Sequence, residues 1–466
     1  MNRVLRHTSL LSLSAAATKV LLIVFAVYVT NVLGLAALGR LEYYLNLVFI
    51  FVVAADFGLE QWTTRELARR KEEGDALIPN LIALRLPFTA VALVLMALFL
   101  RFISRQQSVG FAGLIALTYL LSFSFQTLLR GMMRAYGMMG YESFLNFSER
   151  LLTVGAGVLL IHAGYGAQAL LGCFLVGNIA VLVATVFLLR GRGLWSWGRV
   201  QTAQWSGYVS GASLFGLAAI FITIFYRQDT ILLTELKGET ATGGYRSAYR
   251  LVEGLWLVPQ MLSVALYPVL SELFHKGTKL DGICAQAFRL LTAISLPLAV
   301  GGTLVAPPLI RMIYPDNPDG IAIFAVLVWT MPFVYGNFLV GTVLAATDRQ
   351  RVNLIASIVA VLVNLGLNFF AIPRWLGLGA AVVSVVTQAA FFLVMFVPMT
   401  RDMKNLGISG SLVRSLICCA AMAIAVGAVR PYGVLVQITL GALVYCLLAW
   451  HLQLFSRDDL RQFRRA

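Results

Sequence analysis

The feature that most constrains this chain is the return, over and over, of a largely apolar run close to 20 residues long. At about 1.5 Å rise per residue, a helix of that length crosses the roughly 30 Å hydrocarbon core of a bilayer. We place about fourteen such runs, at roughly 10–33, 41–62, 81–102, 110–129, 144–162, 167–189, 208–232, 246–269, 286–312, 320–345, 353–372, 378–399, 411–429 and 433–455. A membrane barrel would instead show alternating segments of about 10 residues. Composition agrees with the helical reading: the 466 residues are 59% hydrophobic and 12% charged, against about 25% charged in soluble domains. The expected fold is an all-α integral membrane protein with about 14 transmembrane helices.

The formal net charge of +15 would fit nucleic acid binding, but its distribution argues for no nucleic acid partner. With the N-terminus in the cytoplasm, most of the 36 Lys and Arg residues fall in inner segments, such as Arg65–Arg69–Arg70–Lys71, Arg130–Arg134, Arg190–Arg192–Arg199 and Arg349–Arg351. Few fall in outer segments. This is the positive-inside pattern. It predicts a multi-pass protein of the cytoplasmic membrane with both termini cytoplasmic. The basic tail from Arg457 to Arg465 would meet anionic membrane lipids. Arg3, Arg6 and His7 precede an apolar run too long for a signal peptide, so the first run reads as a retained helix.

No connection is long enough for a soluble domain. The segment 190–207 is the best boundary between two halves, which sets the expected units at 1–200 (helices 1–6), 201–405 (helices 7–12) and 406–466 (helices 13–14 and the basic tail). A faint internal repeat supports two halves: Gly39-Arg40-Leu41-Glu42-Tyr43-Tyr44 opens the second span and Gly244-Tyr245-Arg246-Ser247-Ala248-Tyr249 opens the eighth. Parallel repeats of this kind occur in transporters.

Charges inside the apolar runs are the candidate site, because a charge at bilayer depth costs about 2.5–3.5 kcal/mol on insertion scales and faces protein or a water-filled cavity. Arg246, Arg250 and Glu253 are spaced i, i+4, i+7, so they share one helix face. Two guanidinium groups a turn apart suit a phosphate or diphosphate. The competing reading is an interfacial arginine plus a local Arg250–Glu253 pair. Lys19 sits about ten residues into the first span, too deep for easy snorkelling, and reads as a cavity residue. Arg227 and Asp229 are two apart on the seventh span and point about 200° from each other. One would line the cavity; Asp229 would bind a coupling cation or neutralise an arginine. Asp56, Glu149 and Asp229 are the possible ion-coupling residues or charge partners. Arg85 and Glu149–Arg150 lie near the inner ends of their spans, where snorkelling competes with a buried role. Asn337, Asn364, Asn368 and Gln388 either line a cavity or bond between helices.

No catalytic constellation, cofactor motif or metal spacing appears: no Gly-rich phosphate loop leads into Lys-Ser/Thr, and the five cysteines and four histidines are scattered. The chain reads as a transporter, not an enzyme.

Ala54-Ala55-Asp56-Phe57-Gly58-Leu59 with Thr64-Arg65-Glu66-Leu67-Ala68, then Gly244-Tyr245-Arg246-Ser247-Ala248-Tyr249-Arg250-Leu251 and Tyr267-Pro268-Val269-Leu270-Ser271-Glu272-Leu273, resemble the polysaccharide transporter branch of the multidrug/oligosaccharidyl-lipid/polysaccharide exporter superfamily. The resemblance implies two six-helix lobes around a central cationic cavity, with two extra C-terminal helices. It implies a flippase that moves a polyprenyl-diphosphate-linked oligosaccharide by alternating access, for cell-surface polysaccharide or glycan biosynthesis. Lys19, Arg227, Arg246 and Arg250 match the family's basic residues in the first, seventh and eighth spans; Arg40 matches only if the second span begins earlier than residue 41. The alternatives are an ion-coupled multidrug/toxin exporter, a membrane-embedded glycan polymerase or ligase, and a non-transporting scaffold. The exporter would favour acidic cavity residues, and the enzyme would need a sizeable acidic outer loop.

Overall fold

The computed structural model describes residues 2–70, 72, 74–104, 110–195, 198–401, 408–452 and 454, with the side chains of 2–13, 15, 408 and 409 excepted. The basic tail from Arg457 to Arg465, Lys71 and the side chains of Arg3 and Arg6 lie outside the described residues. Among those described there is no strand. Among the described residues thirteen helices are long and apolar enough to cross a membrane. The longest, Gln350–Thr400, is interrupted at Leu376 (φ 48°, ψ −132°), just past Pro373, and so comprises two membrane-length segments. The expected spans at roughly 353–372 and 378–399 fall on either side of that break. The protein is an all-helical membrane transporter fold.

The chain forms two compact units, residues 1–243 and 244–466. The first holds α1 (Asn2–Leu33), α2 (Leu35–Asp56), α3 (Leu59–Arg69), α4 (Gly74–Leu98), α5 (Phe111–Ala135), α6 (Met139–His162), α7 (Ala167–Gly191) and α8 (Trp205–Lys237). Helix α9 (Glu239–Gly254) runs across the boundary. The second unit continues with α10 (Leu257–His275), α11 (Asp281–Ile313), α12 (Asp319–Leu327), α13 (Met331–Ala346), α14 (Gln350–Thr400), α15 (Ile408–Ala428) and α16 (Val434–His451).

In the first unit α5 packs on α7, α1 on α6, and α2 on α4, α5 and α8. Backbones approach closely where side chains are missing, as expected where lipid supplies no hydrophobic drive between helices. The α2–α3 corner turns left-handed at Phe57 (φ 45°) and Gly58 (φ 78°). A Cβ on Gly58 would lie 2.5 Å from the Ala212 carbonyl oxygen, and one on Gly216 would lie 2.4 Å from Phe57. The corner is thus pressed against α8 by two glycines. The first turns of α2 and α9 meet similarly. A Cβ on Gly39 would fall 1.9 Å from the Glu239 carbonyl oxygen, and one on Gly243 would fall 1.9 Å from that of Leu35. The contact is reciprocal, Gly39 on Glu239 and Gly243 on Leu35. Single glycines with φ near 85°, Gly34 and Gly238, join α1 to α2 and α8 to α9.

Two features depart from the apolar pattern. Residues 63–80 are not a plain loop, because α3 occupies Leu59–Arg69 and buries Leu59, Trp62, Thr63 and Leu67. The expected eighth span is broken at Leu255–Trp256, between α9 and α10. Pro259 has no N–H to give the Leu255 carbonyl four residues back, and its ring crowds that carbonyl. The Tyr335 hydroxyl donates to the freed Leu255 oxygen at 2.9 Å.

In the second unit α15 and α16 pack on α11 and on each other, around Leu296, Val305, Cys418, Met422 and Tyr445. The Tyr445 hydroxyl donates to the Ala293 carbonyl at 2.7 Å. Asn337 Nδ2 donates to Gln388 Oε1 at 2.8 Å, Asn368 Nδ2 to Asn364 Oδ1 at 2.8 Å, and Asn364 Nδ2 to Thr387 Oγ1 at 3.3 Å. Of the two readings open for these amides, the structure shows bonding between helical segments.

Candidate functional site

In the second unit the site is built on α9. Arg246 is only 4% exposed. Its guanidinium lies 4.7 Å from the ring centre of Tyr249, one turn on, and its Nη2 is 3.7 Å from Glu253 Oε2, two turns on. An ion pair thus runs from Arg246 to Glu253 along the face expected from the i, i+4, i+7 spacing. Arg250 is half-buried on the same helix, and Glu253 keeps 35% of its side chain exposed. The start of this face is held rigidly. Asn317 Nδ2 donates to the Gly244 carbonyl at 3.1 Å and to Ser247 Oγ at 2.8 Å, while its Oδ1 accepts from the Gly320 N–H at 3.1 Å. The Tyr245 hydroxyl lies 3.1 Å from Ser384 Oγ. Sequence reasoning missed Asn317, although Asn between two prolines at a helix start is a turn and capping signal.

In the first unit, Arg227 on α8 donates to Asn46 Oδ1 at 2.8 Å and stacks 4.3 Å from the Phe49 ring centre. Asn46 Nδ2 in turn donates to the Glu42 carbonyl at 2.7 Å and to Glu42 Oε2 at 3.2 Å. Glu42 is 1% exposed, so a buried carboxylate and a guanidinium share one amide. Arg40 lies inside α2, which begins at Leu35, and so satisfies the condition on its match to the family's second-span basic residue. It forms a bidentate pair with Glu239, both contacts 2.7 Å. The Tyr43 hydroxyl bonds Ser104 Oγ at 2.9 Å and a Glu235 carboxylate oxygen. Asp229 is buried and Lys19 half-buried. Glu42, Asn46, Glu235 and Glu239 were not singled out from sequence. Glu42 stood in the quoted repeat, and its place next to Arg40 near an outer span end was the only signal.

The remaining carboxylates face arginines within the first unit. Arg85 does not snorkel: it is fully buried, with Nη1 2.6 Å from Asp56 Oδ1. Its Nε donates to Ser124 Oγ at 2.9 Å, its Nη2 to the Ser124 carbonyl at 2.6 Å, and Nη2 also bonds Thr127. Asp56 simultaneously accepts the N–H groups of Gly58 and Glu60 at 3.1 Å, capping the start of α3. Glu60 and Glu142 flank Arg134 at 2.7 and 2.6 Å. Glu149, 1% exposed, lies 3.0 Å from Arg130 Nη2 and 4.0 Å from Arg150 Nη1. Burying an unpaired ion costs several kcal/mol, about 3–5 when one partner is removed, so each of these charges fixes its partner's place.

Lys19, Arg227, Asp56, Asp229 and Glu149 thus belong to the first unit and Arg246, Arg250 and Glu253 to the second. Among the described residues no group of three or more His, Cys, Asp or Glu is placed to hold a metal.

The chain's relatives agree with this architecture. A family model described as polysaccharide biosynthesis protein matches residues 4–274, and one described as MatE matches 215–370. A probable low-salt glycan biosynthesis flippase of Haloferax volcanii is 23% identical over 395 residues, covering 80% of each chain. A probable flippase of the same organism is 20% identical over 473 residues, covering 94% of each. Among solved structures, a lipid II flippase in an inward closed conformation superposes with a TM-score of 0.76 at 15% identity, over 97% of this chain and 99% of that one. An inward-facing multidrug resistance MATE family transporter of the MOP superfamily gives 0.66 at 16%, over 83% of this chain and 96% of that one. The first family model spans more than half of the sequence, and the chain belongs to the polysaccharide biosynthesis protein family.

Proposed function

We propose that the protein is a flippase that moves a polyprenyl-diphosphate-linked oligosaccharide across the cytoplasmic membrane by alternating access, in cell-surface polysaccharide or glycan biosynthesis. The observation that carries this reading is Arg246. It is a guanidinium almost wholly withdrawn from solvent on α9, braced by an aromatic face and followed one turn later by Arg250. A guanidinium stays protonated when desolvated and offers paired donors to phosphate oxygens. In this mechanism Arg246 and Arg250 hold the diphosphate, Glu253 orients Arg246, and Lys19 and Arg227 are further basic residues that the headgroup meets in its passage. The polyprenyl tail stays in lipid. Rocking of one half against the other then exposes the headgroup to the outer side, where it is released. Asp229, a carboxylate buried on the apolar helix α8, is the residue we assign to a coupling cation. The two Haloferax volcanii relatives, both named as flippases, support the reading.

The test is flipping of a polyprenyl-diphosphate oligosaccharide in proteoliposomes, comparing wild type with Arg246→Ala/Arg250→Ala and with Lys19→Ala. Collapse in these variants, with insertion and folding retained, is expected. Undiminished flipping in all of them removes these residues from the mechanism. The match of 215–370 to MatE supports a second reading, cation–drug exchange. It replaces the first if the wild type flips no lipid but exchanges organic cations for protons or sodium.

A further inference from the structure

The turn between α11 and α12 carries Asn317 between Pro315 and Pro318. Asn317 is 2% exposed, and its N–H returns to the Tyr314 carbonyl at 3.0 Å. Its side-chain amide leaves that turn and grips α9, with Nδ2 donating to the Gly244 carbonyl at 3.1 Å and to Ser247 Oγ at 2.8 Å. Oδ1 accepts from the Gly320 N–H at 3.1 Å. A carbonyl on one side and an N–H on the other fix which end of the amide faces which. Two glycines make room for it. A Cβ on Gly320 would lie 2.4 Å from Asn317 Nδ2, and one on Gly244 would lie 3.3 Å from Oδ1. The amide is thus seated in a fitted socket wholly within the second unit.

We propose, resting on the flippase reading above for the identity of the substrate, that Asn317 is the positioning residue of Arg246. It sets the rotation of α9 about its axis, and so the direction in which the guanidinium meets the phosphate groups. At about 100° per residue, Gly244 and Ser247 share one side of α9, while Arg246 and Glu253 lie on the far side. A helix gripped at two points along its back cannot turn or slide without breaking a bond. Arg246 lies between the two gripped residues in the chain, so the grip acts within one turn of its own backbone. Direction matters to this side chain, because a guanidinium binds phosphate through two parallel N–H groups. The grip comes from the turn between α11 and α12 and not from α9 itself. The amide therefore ties the charged face to the position of those helices.

The experiment is the kinetics of polyprenyl-diphosphate oligosaccharide flipping by the full-length protein in proteoliposomes. Asn317→Asp keeps the shape and the acceptor for Gly320, but presents an oxygen to the Gly244 carbonyl. Gly320→Ala leaves Asn317 in place in the sequence and crowds its Nδ2; alanine is a good helix former, so α12 keeps its first turn. Each should raise KM by about 10-fold with the maximal rate little changed, since a misplacement of about 1 Å costs up to about 100-fold. Neither should raise KM further in an Arg246→Ala background. Tyr445→Phe, which loses a bond to the Ala293 carbonyl in the same unit, controls for a general loss of packing and should leave KM as it is. Wild-type KM in Asn317→Asp and Gly320→Ala, or an added rise in the Arg246→Ala background, overturns the proposal. If wild type flips no lipid, or Arg246→Ala keeps the wild-type KM, the flippase reading fails, and the rotation of α9 is read without transport. In a Cys446→Ser background in detergent, maleimide should label Arg250→Cys several-fold faster or slower once Gly320→Ala is added, but not once Tyr445→Phe is added. An unchanged rate with Gly320→Ala overturns the positioning role.

Discussion

Arg85 shows how one side chain organises a membrane-buried core. Its guanidinium meets Asp56, Ser124 and Thr127 on two neighbouring helices with no exposure of its own. Asp56 uses its other valences to cap α3. Arg85→Ala strands a buried carboxylate and should lower unfolding stability by about 3–5 kcal/mol. Asp56→Asn should cost about as much by stranding the arginine, and Arg85→Met/Asp56→Leu should cost less than either single change. Chemical denaturation in detergent, read as a double-mutant cycle, checks this; additive losses would mean the pair is not coupled. Arg246 tests a different property. Arg246→Lys keeps the charge but loses the planar stack on Tyr249 and the paired donors. A desolvated cation–π contact contributes about 1–2 kcal/mol, so Arg246→Lys should weaken substrate binding by roughly 5- to 30-fold. Wild-type affinity in that variant would show that charge alone suffices.

At the scale of helices, backbone chemistry decides where the long apolar runs bend. The break between α9 and α10 follows from Pro259, and Tyr335 takes up the carbonyl that the proline leaves. Tyr335→Phe leaves the Leu255 oxygen unpaired and should destabilise the protein by about 1–3 kcal/mol, seen as a lower thermal midpoint in detergent with the expression level kept. The crossing of α2 and α9 depends on two missing side chains. Gly243→Val places a Cβ where the Leu35 carbonyl stands, 1.9 Å away, and backbone has no rotamer by which to yield. The Arg40–Glu239 pair beside it should then be lost. Charge reversal of that pair, Arg40→Glu/Glu239→Arg, should be tolerated far better than Gly243→Val, as judged by monodisperse yield. Equal damage from both would mean that the pair, not the close approach, sets the crossing.

For the whole molecule, the governing pattern is the excess of Lys and Arg in alternate connections. It predicts that cysteines introduced at Ser196 and Gln204 are labelled only from the cytoplasmic side, and one at Tyr165 only from the outside. Maleimide labelling of intact cells and inverted vesicles measures this, and the opposite sidedness would invert the proposed direction of access.

What the sequence determined by itself is the membrane-spanning helical class, the two segments within Gln350–Thr400, and which charges lie in apolar runs. These follow from local quantities: run length against bilayer thickness, and the cost of a charge in hydrocarbon. The faces of α9 were legible too, since helix spacing puts Arg246, Arg250 and Glu253 together. Partnership was not. Nothing in the order of residues says that Glu253 reaches Arg246 two turns back, that Arg85 reaches Asp56 rather than the membrane surface, or that Asn46 links Glu42 to Arg227. Each pair joins groups on different helices or two turns apart, and packing selects among several partners of like chemistry. The reciprocal Gly39–Gly243 crossing became visible only once carbonyl oxygens stood where a Cβ would be, because close approach is a property of two backbones and not of either segment alone.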